Sequence, residues 1–335
     1  MFNSHLFLDV SNRLYRLEEY KEALANYDKA LAIKDDNPEA WFSRGVALDD
    51  LKRYEEALAS YDKAIAIKDD FAEVWSNRGN ILDNLKRYEE ALASYDKAIA
   101  IKDDFSEAWL NRGTALINLE LYKEALASYD KAIAIKDDFS EAWLNRGTAL
   151  INLELYKEAL ASYDKAIAIK DDFSEAWLNR GLVLRVLKRY KEALTSYKKA
   201  LTVRPNKLDY FNEQSLTLSF LGLYEEALAN INEALKLQPE YPICWANQGI
   251  VLGRAGRYKE ALASCDKALE LQPNDESGHY GKACCYALQG NIELAIEKLQ
   301  QAINLNHSRC RREAKINPDF DSIRNDERFK ALMQG

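Results

Sequence analysis

A residue with a ring-bearing side chain recurs every 34 positions along this chain. The series includes all six tryptophans and consists of Phe7, Trp41, Trp75, Trp109, Trp143, Trp177, Phe211, Trp245 and His279. A fixed period between about 20 and 50 residues is typical of stacked repeats, in which each repeat buries its apolar face only against its neighbours. The period therefore predicts an elongated array of one small element, and it argues against a single catalytic constellation.

Two helical patterns make up each repeat. They are clearest in residues 106–139, and residues 140–173 repeat that stretch letter for letter. Apolar or small residues recur there at spacings of three and four, which predicts one amphipathic helix over 106–119 and a second over 122–135.

Helix boundaries are also marked in the repeats. Asp104 stands three residues before Glu107, which resembles a capping box and predicts that Asp104 caps the first helix. In the later repeats a proline, which cannot continue a helix, stands where the second helix should end. These prolines are Pro205, Pro239 and Pro273.

Small residues occupy fixed places in every repeat. Two columns with the same period hold only alanine, one from Ala23 to Ala295 and the other from Ala30 to Ala302. A glycine within a helix costs about 1 kcal/mol relative to alanine, so a recurring glycine predicts close helix packing. The first helices hold such a column: Gly45, Gly79, Gly113, Gly147, Gly181 and Gly249.

This order of residues resembles the tetratricopeptide repeat, with Trp, Gly four positions later, and then Tyr, Ala, Tyr and Ala at fixed offsets. The resemblance covers about residues 4–308. It divides residues 1–308 into nine repeats that start near residues 4, 38, 72, 106, 140, 174, 208, 242 and 276. It implies an all-α fold, a right-handed superhelical solenoid in which the first helices line a concave groove. One departure is systematic, because the family usually has Leu where Arg112 and its equivalents precede the glycine.

The period is lost after Asn306. Residues 309–335 contain a short helical pattern, a proline at Pro318, and spaced apolar residues from Phe320 to Leu332. We interpret residues 309–335 as helices that cap the last repeat, because the ends of a repeat array need a polar cover. The alternative is a linker to a further domain.

One acidic and one basic residue change together along the array. The predicted pairs, each between a second helix and the next first helix, are Asp28 with Arg44, Asp62 with Arg78, Asp96 with Arg112, Asp130 with Arg146, and Asp164 with Arg180. The acid and the base are both replaced in the next two steps, by Lys198 with Gln214 and by Asn232 with Gln248, and they return together as Asp266 with Lys282. We interpret the column as ion pairs between repeats. The alternative is that near-identical repeats share both residues by copying alone.

The resemblance implies that ligand-facing residues lie on the first helices. Because an asparagine amide both donates and accepts, a column of them can hold an extended peptide backbone. This resembles the asparagine ladder of O-linked N-acetylglucosamine transferases; the alternative is a solvated residue copied by duplication. The column is Asn77, Asn111, Asn145, Asn179 and Asn247, and beside it lie Leu110, Leu144, Leu178, Thr114, Thr148, Asn118 and Asn152.

An acidic column runs along the edge of this groove, from Glu39 to Asp209. Its residues either favour basic segments or only complement the dipole of the first helical turn. Family members that clamp a free C-terminal carboxylate use Lys and Arg on the groove helices. Ser76, Glu141 and Asn145 stand at those cationic places here, so a free carboxylate is not the expected ligand.

Composition narrows the partners further. The formal net charge of −8 argues against non-specific binding to nucleic acid or membranes and favours neutral or basic partners. No apolar stretch approaches a membrane span, no signal peptide is visible, and we predict a cytoplasmic protein. The cysteines lack a metal-ligand spacing, and phosphate-loop and nucleophile motifs are missing, so we expect no metal or cofactor.

These observations predict a protein-interaction scaffold that holds an extended peptide or protein segment in its groove and has no catalytic residues. Two alternatives remain open. One is a self-associating structural or assembly protein, and the other is a regulatory subunit of an enzyme on another chain.

Overall fold

The computed structural model describes residues 4–334. Within that range the chain forms α-helices, one 3₁₀ helix and the turns that join them. Contacts divide it into two compact lobes, an N-terminal lobe that ends at Ile169 and a C-terminal lobe that begins at Lys170. In each lobe consecutive helices pack as pairs, so the predicted all-α solenoid of tandem helix pairs is confirmed.

The N-terminal lobe contains five repeats, each with an A helix followed by a B helix. These are α1 (Ser4–Arg16) and α2 (Tyr20–Ile33), α3 (Pro38–Asp50) and α4 (Tyr54–Ile67), α5 (Ala72–Asn84) and α6 (Tyr88–Ile101), α7 (Ser106–Asn118) and α8 (Tyr122–Ile135), and α9 (Ser140–Asn152) and α10 (Tyr156–Ile169). The helices predicted over 106–119 and 122–135 thus correspond to α7 and α8.

The C-terminal lobe contains four repeats and a tail, which we define as residues 307–334. The repeats are α11 (Ser174–Val186) and α12 (Tyr190–Val203), α13 (Leu208–Phe220) and α14 (Tyr224–Leu237), α15 (Pro242–Arg254) and α16 (Tyr258–Leu271), and α17 (Glu276–Leu288) and α18 (Ile292–Leu305). The tail forms α19 (His307–Ile316), a 3₁₀ helix (Pro318–Ile323) and α20 (Glu327–Gln334).

The tail packs against the last repeat with its apolar side chains. Phe320, Ile323 and Phe329 are buried and share one core cluster with Tyr280 of α17 and Leu299 of α18. The rings of Phe320 and Tyr280 meet edge to face, with their centroids 5.7 Å apart. The tail therefore covers apolar surface of the ninth repeat that would otherwise face water.

Each A helix ends in the same backbone motif. In the third repeat the Arg87 N–H donates to the Leu82 carbonyl, and the Lys86 N–H donates to the Asp83 carbonyl, which together form a Schellman ending. Lys86 has a φ of 60°, in the left-handed region. The equivalent residues are Glu18, Lys52, Glu120, Glu154 and Lys188, followed by Gly222, Gly256 and Gly290, which adopt this conformation without the strain that a Cβ brings.

The A helices begin differently from the prediction. The N-cap of α7 is Phe105, and no side chain caps it. The capping box predicted for Asp104 is therefore wrong, because Asp104 lies one residue too early and uses only its backbone carbonyl, which accepts from the Ser106 N–H. The B helices do end two residues before Pro205, Pro239 and Pro273, as predicted.

Alanine and glycine let the helices of a repeat approach closely. Both alanines of the two columns in α8, Ala125 and Ala132, are fully buried. A methyl group placed on Gly113 would lie 2.5 Å from Cε1 of Tyr129, which is itself buried. The glycine column thus makes room for the inner tyrosine of the B helix, and the same contact joins Gly45 to Tyr61, Gly79 to Tyr95, Gly147 to Tyr163 and Gly181 to Tyr197.

Each tryptophan of the period forms a hydrogen bond that joins its A helix to the loop before it. Trp109 Nε1 donates to the carbonyl of Asp103 at 3.0 Å. The other tryptophans make the same bond to the carbonyl six residues earlier: Trp41, Trp75, Trp143, Trp177 and Trp245. At the tryptophans, the sequence period therefore corresponds to one repeated hydrogen bond between an A helix and the loop before it.

Candidate functional site

The A helices of each lobe pack side by side. Contacts join α3 to α5, α5 to α7 and α7 to α9 in the N-terminal lobe, and α11 to α13, α13 to α15 and α15 to α17 in the C-terminal lobe. We call the side of these helices that faces away from the B helices the A-helix surface. All side chains predicted to bind a ligand belong to these A helices.

The asparagine column is partly buried at Asn77, Asn111, Asn145 and Asn179, and Asn247 is buried. Asn111 Nδ2 donates to Asn80 Oδ1 of the preceding repeat at 2.9 Å. Tyr95 Oη donates to the same oxygen at 2.9 Å. This network fixes the orientation of the Asn111 amide before any ligand binds, which lowers the entropy cost of using it.

The two threonines of the predicted surface have partners within the protein. Thr114 Oγ1 donates to the Leu110 carbonyl at 3.2 Å and lies 3.5 Å from Tyr129 Oη. Thr148 makes the same two contacts one repeat later. Their position after the glycine is therefore explained by support of the inner tyrosine.

The remaining predicted side chains also contact the protein itself. Leu110, Leu144 and Leu178 are partly buried, and Leu110 packs against core clusters that the fourth and fifth repeats share. Asn152 Nδ2 donates to the Thr148 carbonyl at 3.0 Å, and Asn118 Nδ2 lies 3.4 Å from Asp83 Oδ1. The asparagine column is thus the strongest candidate for ligand binding in the N-terminal lobe.

The C-terminal lobe contains a cavity of about 280 Å³ between its A helices and the tail. Asn247, the last member of the asparagine column, lies on its wall. The tail contributes Arg309 and Glu313 from α19. The repeat period does not predict this cavity, because the tail that forms one of its walls lies outside the repeats.

Within each lobe, the charged groups of the predicted ion pairs are in direct contact. Within the N-terminal lobe, each arginine donates from Nε to the aspartate of the preceding B helix at 2.7–2.8 Å, in Arg44–Asp28, Arg78–Asp62, Arg112–Asp96 and Arg146–Asp130. In the C-terminal lobe Lys282 contacts Asp266. Asp164 and Arg180 lie in different lobes, so their pairing stays a prediction from the sequence.

Each of these arginines also has a second partner that the sequence analysis missed. Arg112 Nη1 donates to Ser128 Oγ at 2.7 Å, and its guanidinium lies 5.8 Å from the Trp109 ring centroid. Arg112 therefore contacts the B helices of two successive repeats. The signal was present in the sequence as a column of serines just before the inner tyrosine: Ser60, Ser94, Ser128, Ser162 and Ser196.

We expect the Arg112–Asp96 contact to be worth less than 1 kcal/mol. Asp96 has half of its side chain exposed (52%), and exposed pairs contribute about 0–1 kcal/mol. Arg112→Ala should cost more than Asp96→Ala, because it also removes the contacts to Ser128 and Trp109. Denaturant unfolding of both single variants and the double variant should show a coupling of about 0.3–1 kcal/mol. Strict additivity would mean that the pair adds nothing to stability.

Family comparisons agree with this arrangement. Tetratricopeptide repeat models match residues 38–71, 72–105, 174–207 and 242–275, residues 110–172 and residues 208–241. A further TPR repeat model matches residues 12–51. The chain is a tetratricopeptide repeat protein. Proteins of this family act as interaction scaffolds that bind other proteins or peptides. Among curated proteins, none matches this sequence.

Solved structures share the fold of this tetratricopeptide repeat protein at low identity. A tetratricopeptide repeat protein from Parabacteroides merdae has 18% identity and a TM-score of 0.58 over 77% of this chain and 98% of its own. PilF of Pseudomonas aeruginosa has 20% identity and a TM-score of 0.55 over 62% and 94%. PilW, a type IV pilus biogenesis factor, has 23% and 0.55 over 60% and 94%.

The helices of this tetratricopeptide repeat protein are short. Among residues 4–334, none is both long and apolar enough to cross a lipid bilayer. The cytoplasmic location stays a prediction from the sequence.

Proposed function

We propose that this scaffold binds an extended peptide segment along the A-helix surface of its N-terminal lobe. The observation that supports this most directly is the repetition of one partly buried amide per repeat, at Asn77, Asn111 and Asn145. Each amide offers a donor and an acceptor, as a peptide backbone does.

The spacing of the amides suits an extended chain. Packed helices lie about 8–10 Å apart, and an extended chain advances about 3.3 Å per residue. One asparagine would therefore meet about every third residue of the peptide. Recognition through the backbone would tolerate many side chains.

The charge of the chain suits neutral or basic segments. The formal net charge is −8, and the acidic residues Glu73 and Glu141 at the starts of their A helices are exposed. A basic peptide would be attracted over a distance of about one Debye length, roughly 8 Å at physiological salt.

The test uses a capped peptide selected from a random library against the wild-type chain. Replacing Asn77, Asn111 and Asn145 together by alanine should weaken its binding at least about tenfold, since each lost hydrogen bond costs about 0.5–1.5 kcal/mol. Calorimetric titration measures the change. Asn26→Ala, on the B helix α2, is the matched control and should leave the affinity unchanged.

The same peptide also tests the mode of recognition. Methylating its backbone nitrogens one at a time should weaken binding at about every third position, whereas alanine substitution at those positions should matter less. Retention of full affinity by the triple variant would refute the proposal. The peptide would then bind to the B helices or to the ends of the array.

A further inference from the structure

Ionised side chains of both signs line the cavity of the C-terminal lobe, four carboxylates and four cationic groups. Arg185 Nη2 contacts Glu213 Oε2 at 3.2 Å. Arg309 contacts both Glu276, at 3.3 Å, and Glu313, at 3.0 Å. A fourth carboxylate, Asp209, also lines the cavity and accepts a hydrogen bond from Tyr241 Oη at 2.9 Å. Arg254 on the same wall is bound to Asp319 of the tail, so the four carboxylates share the guanidinium groups of Arg185 and Arg309 and the exposed Lys188.

The environment of Glu213 shows the consequence of this imbalance. Burial raises the pKa of the Glu213 carboxyl and the Arg185 guanidinium lowers it; the Glu313 carboxylate raises it again, Arg309 lowers it, and Asp209 raises it. An additional cation beside Glu213 would favour its ionised form.

Asn212 provides an independent sign of a ligand. It lines the same cavity and is only 3% exposed. Neither its amide nitrogen nor its amide oxygen has a hydrogen bond to a nitrogen or oxygen atom of the protein, and the amide lies beside the Cys244 thiol. Leaving a buried polar group unpaired costs about 1–3 kcal/mol, and a peptide group could supply both the acceptor and the donor that this amide needs.

The sixth and seventh repeats depart from the fourth and fifth at these places, with Arg185 in the sixth repeat and Asn212 and Glu213 in the seventh. Leu110, Leu144 and Leu178 occupy the positions equivalent to Asn212, and Asn111 and Asn145 occupy those equivalent to Glu213. Ile117 and Ile151 are equivalent to Arg185. An apolar residue at position 212 would avoid the unpaired amide, so stability alone does not account for Asn212.

We propose that this cavity is a second binding site, which takes a peptide segment carrying an arginine or lysine side chain. Asn212 binds the backbone of the segment, and the carboxylate of Glu213 contacts its cationic group. Leu216, Ile243 and Ile250 belong to the apolar part of the wall. This proposal rests on the proposed function in that the chain binds peptides, but it uses other residues in the other lobe.

The experiment compares two libraries of capped hexapeptides, one with arginine fixed at an inner position and one with glutamine there. Retention on the immobilised full-length chain is quantified by mass spectrometry. The arginine library should be retained at least about tenfold better, as expected for a charge-assisted hydrogen bond. The double variant Arg185→Ile with Glu213→Asn, which restores residues found in other repeats, should abolish that preference.

A second variant separates binding from folding. Asn212→Leu should raise the denaturation midpoint while it lowers the retention of both libraries. Equal retention of the two libraries by the wild type, or an unchanged arginine preference in the double variant, overturns the proposal. If Asn212→Leu unfolds the C-terminal lobe, the double variant still decides.

The N-terminal triple variant distinguishes this proposal from the proposed function. Replacing Asn77, Asn111 and Asn145 by alanine should leave the arginine preference intact. Loss of the preference in that variant would place the contact on the N-terminal lobe and overturn the assignment to the cavity.

Discussion

Asp319→Ala should destabilise the end of the array by about 3–5 kcal/mol, because it leaves the buried charge of Arg254 without its partner. The two side chains are 4% and 8% exposed and form two short contacts, both at 2.9 Å. Arg254 Nη1 also donates to Ser219 Oγ at 2.6 Å, and its guanidinium lies 3.8 Å from the Phe220 ring centroid. Hydrogen exchange in α15, α17 and the tail, together with the denaturation midpoint, measures the loss.

The double variant Arg254→Leu with Asp319→Ala is the control for this prediction. Replacing both members of a buried pair by apolar groups is often close to neutral, and Leu288 already stands at the equivalent position in the ninth repeat. The double variant should therefore be more stable than Asp319→Ala alone. If the single variant exchanges its tail amides at the wild-type rate, the pair does not hold the tail in place.

Gly113→Ala should destabilise the fourth repeat by about 1–3 kcal/mol, since the new methyl group would overlap the buried ring of Tyr129. This sign is opposite to the usual effect of replacing glycine by alanine within a helix, which gains about 1 kcal/mol. Denaturant unfolding measures the difference. A stabilised variant would show that the tyrosine can move aside.

The chain itself suggests the compensating change. Where the glycine column holds Ser215 or Ala283, the inner tyrosine is replaced by Ile231 or Leu299, whereas Ser11 in the first repeat stands with Tyr27. Gly113→Ala should therefore cost less in a Tyr129→Leu background than in the wild type, and the two changes should couple by at least about 0.5 kcal/mol. Additive effects would mean that the two columns vary independently.

The periodic residues explain why so much of the fold was predictable. The same spacing predicts helices α7 and α8, the buried alanines and the prolines at the ends of helices. Because this spacing occurs in several repeats, one irregular repeat does not change the prediction. Local signals were less reliable. Asp104 has the residue type of a cap, but the turn that leads into α7 places Phe105 at that position.

The partners of individual side chains were harder to predict, because they depend on which helices are in contact. The arginines were predicted to reach the aspartates of the preceding repeat, and the structure has those contacts in the N-terminal lobe. Their serine partners were missed, although Ser128 stands as regularly as Asp130. That Thr114 faces a ligand stays a prediction, and the structure adds that its hydroxyl lies 3.5 Å from Tyr129 Oη, a contact that the repeat period did not indicate.

The sequence by itself determined the repeating helix pair, its register and its small-residue contacts, because each depends on spacings within and between adjacent repeats. Only the tertiary structure decided that the aperiodic tail meets the A helices around a cavity, where Asn212 lies buried and Asp319 reaches Arg254. Those residues are far apart in the chain, and no period relates them. Their proximity depends on how the tail folds back onto the repeats.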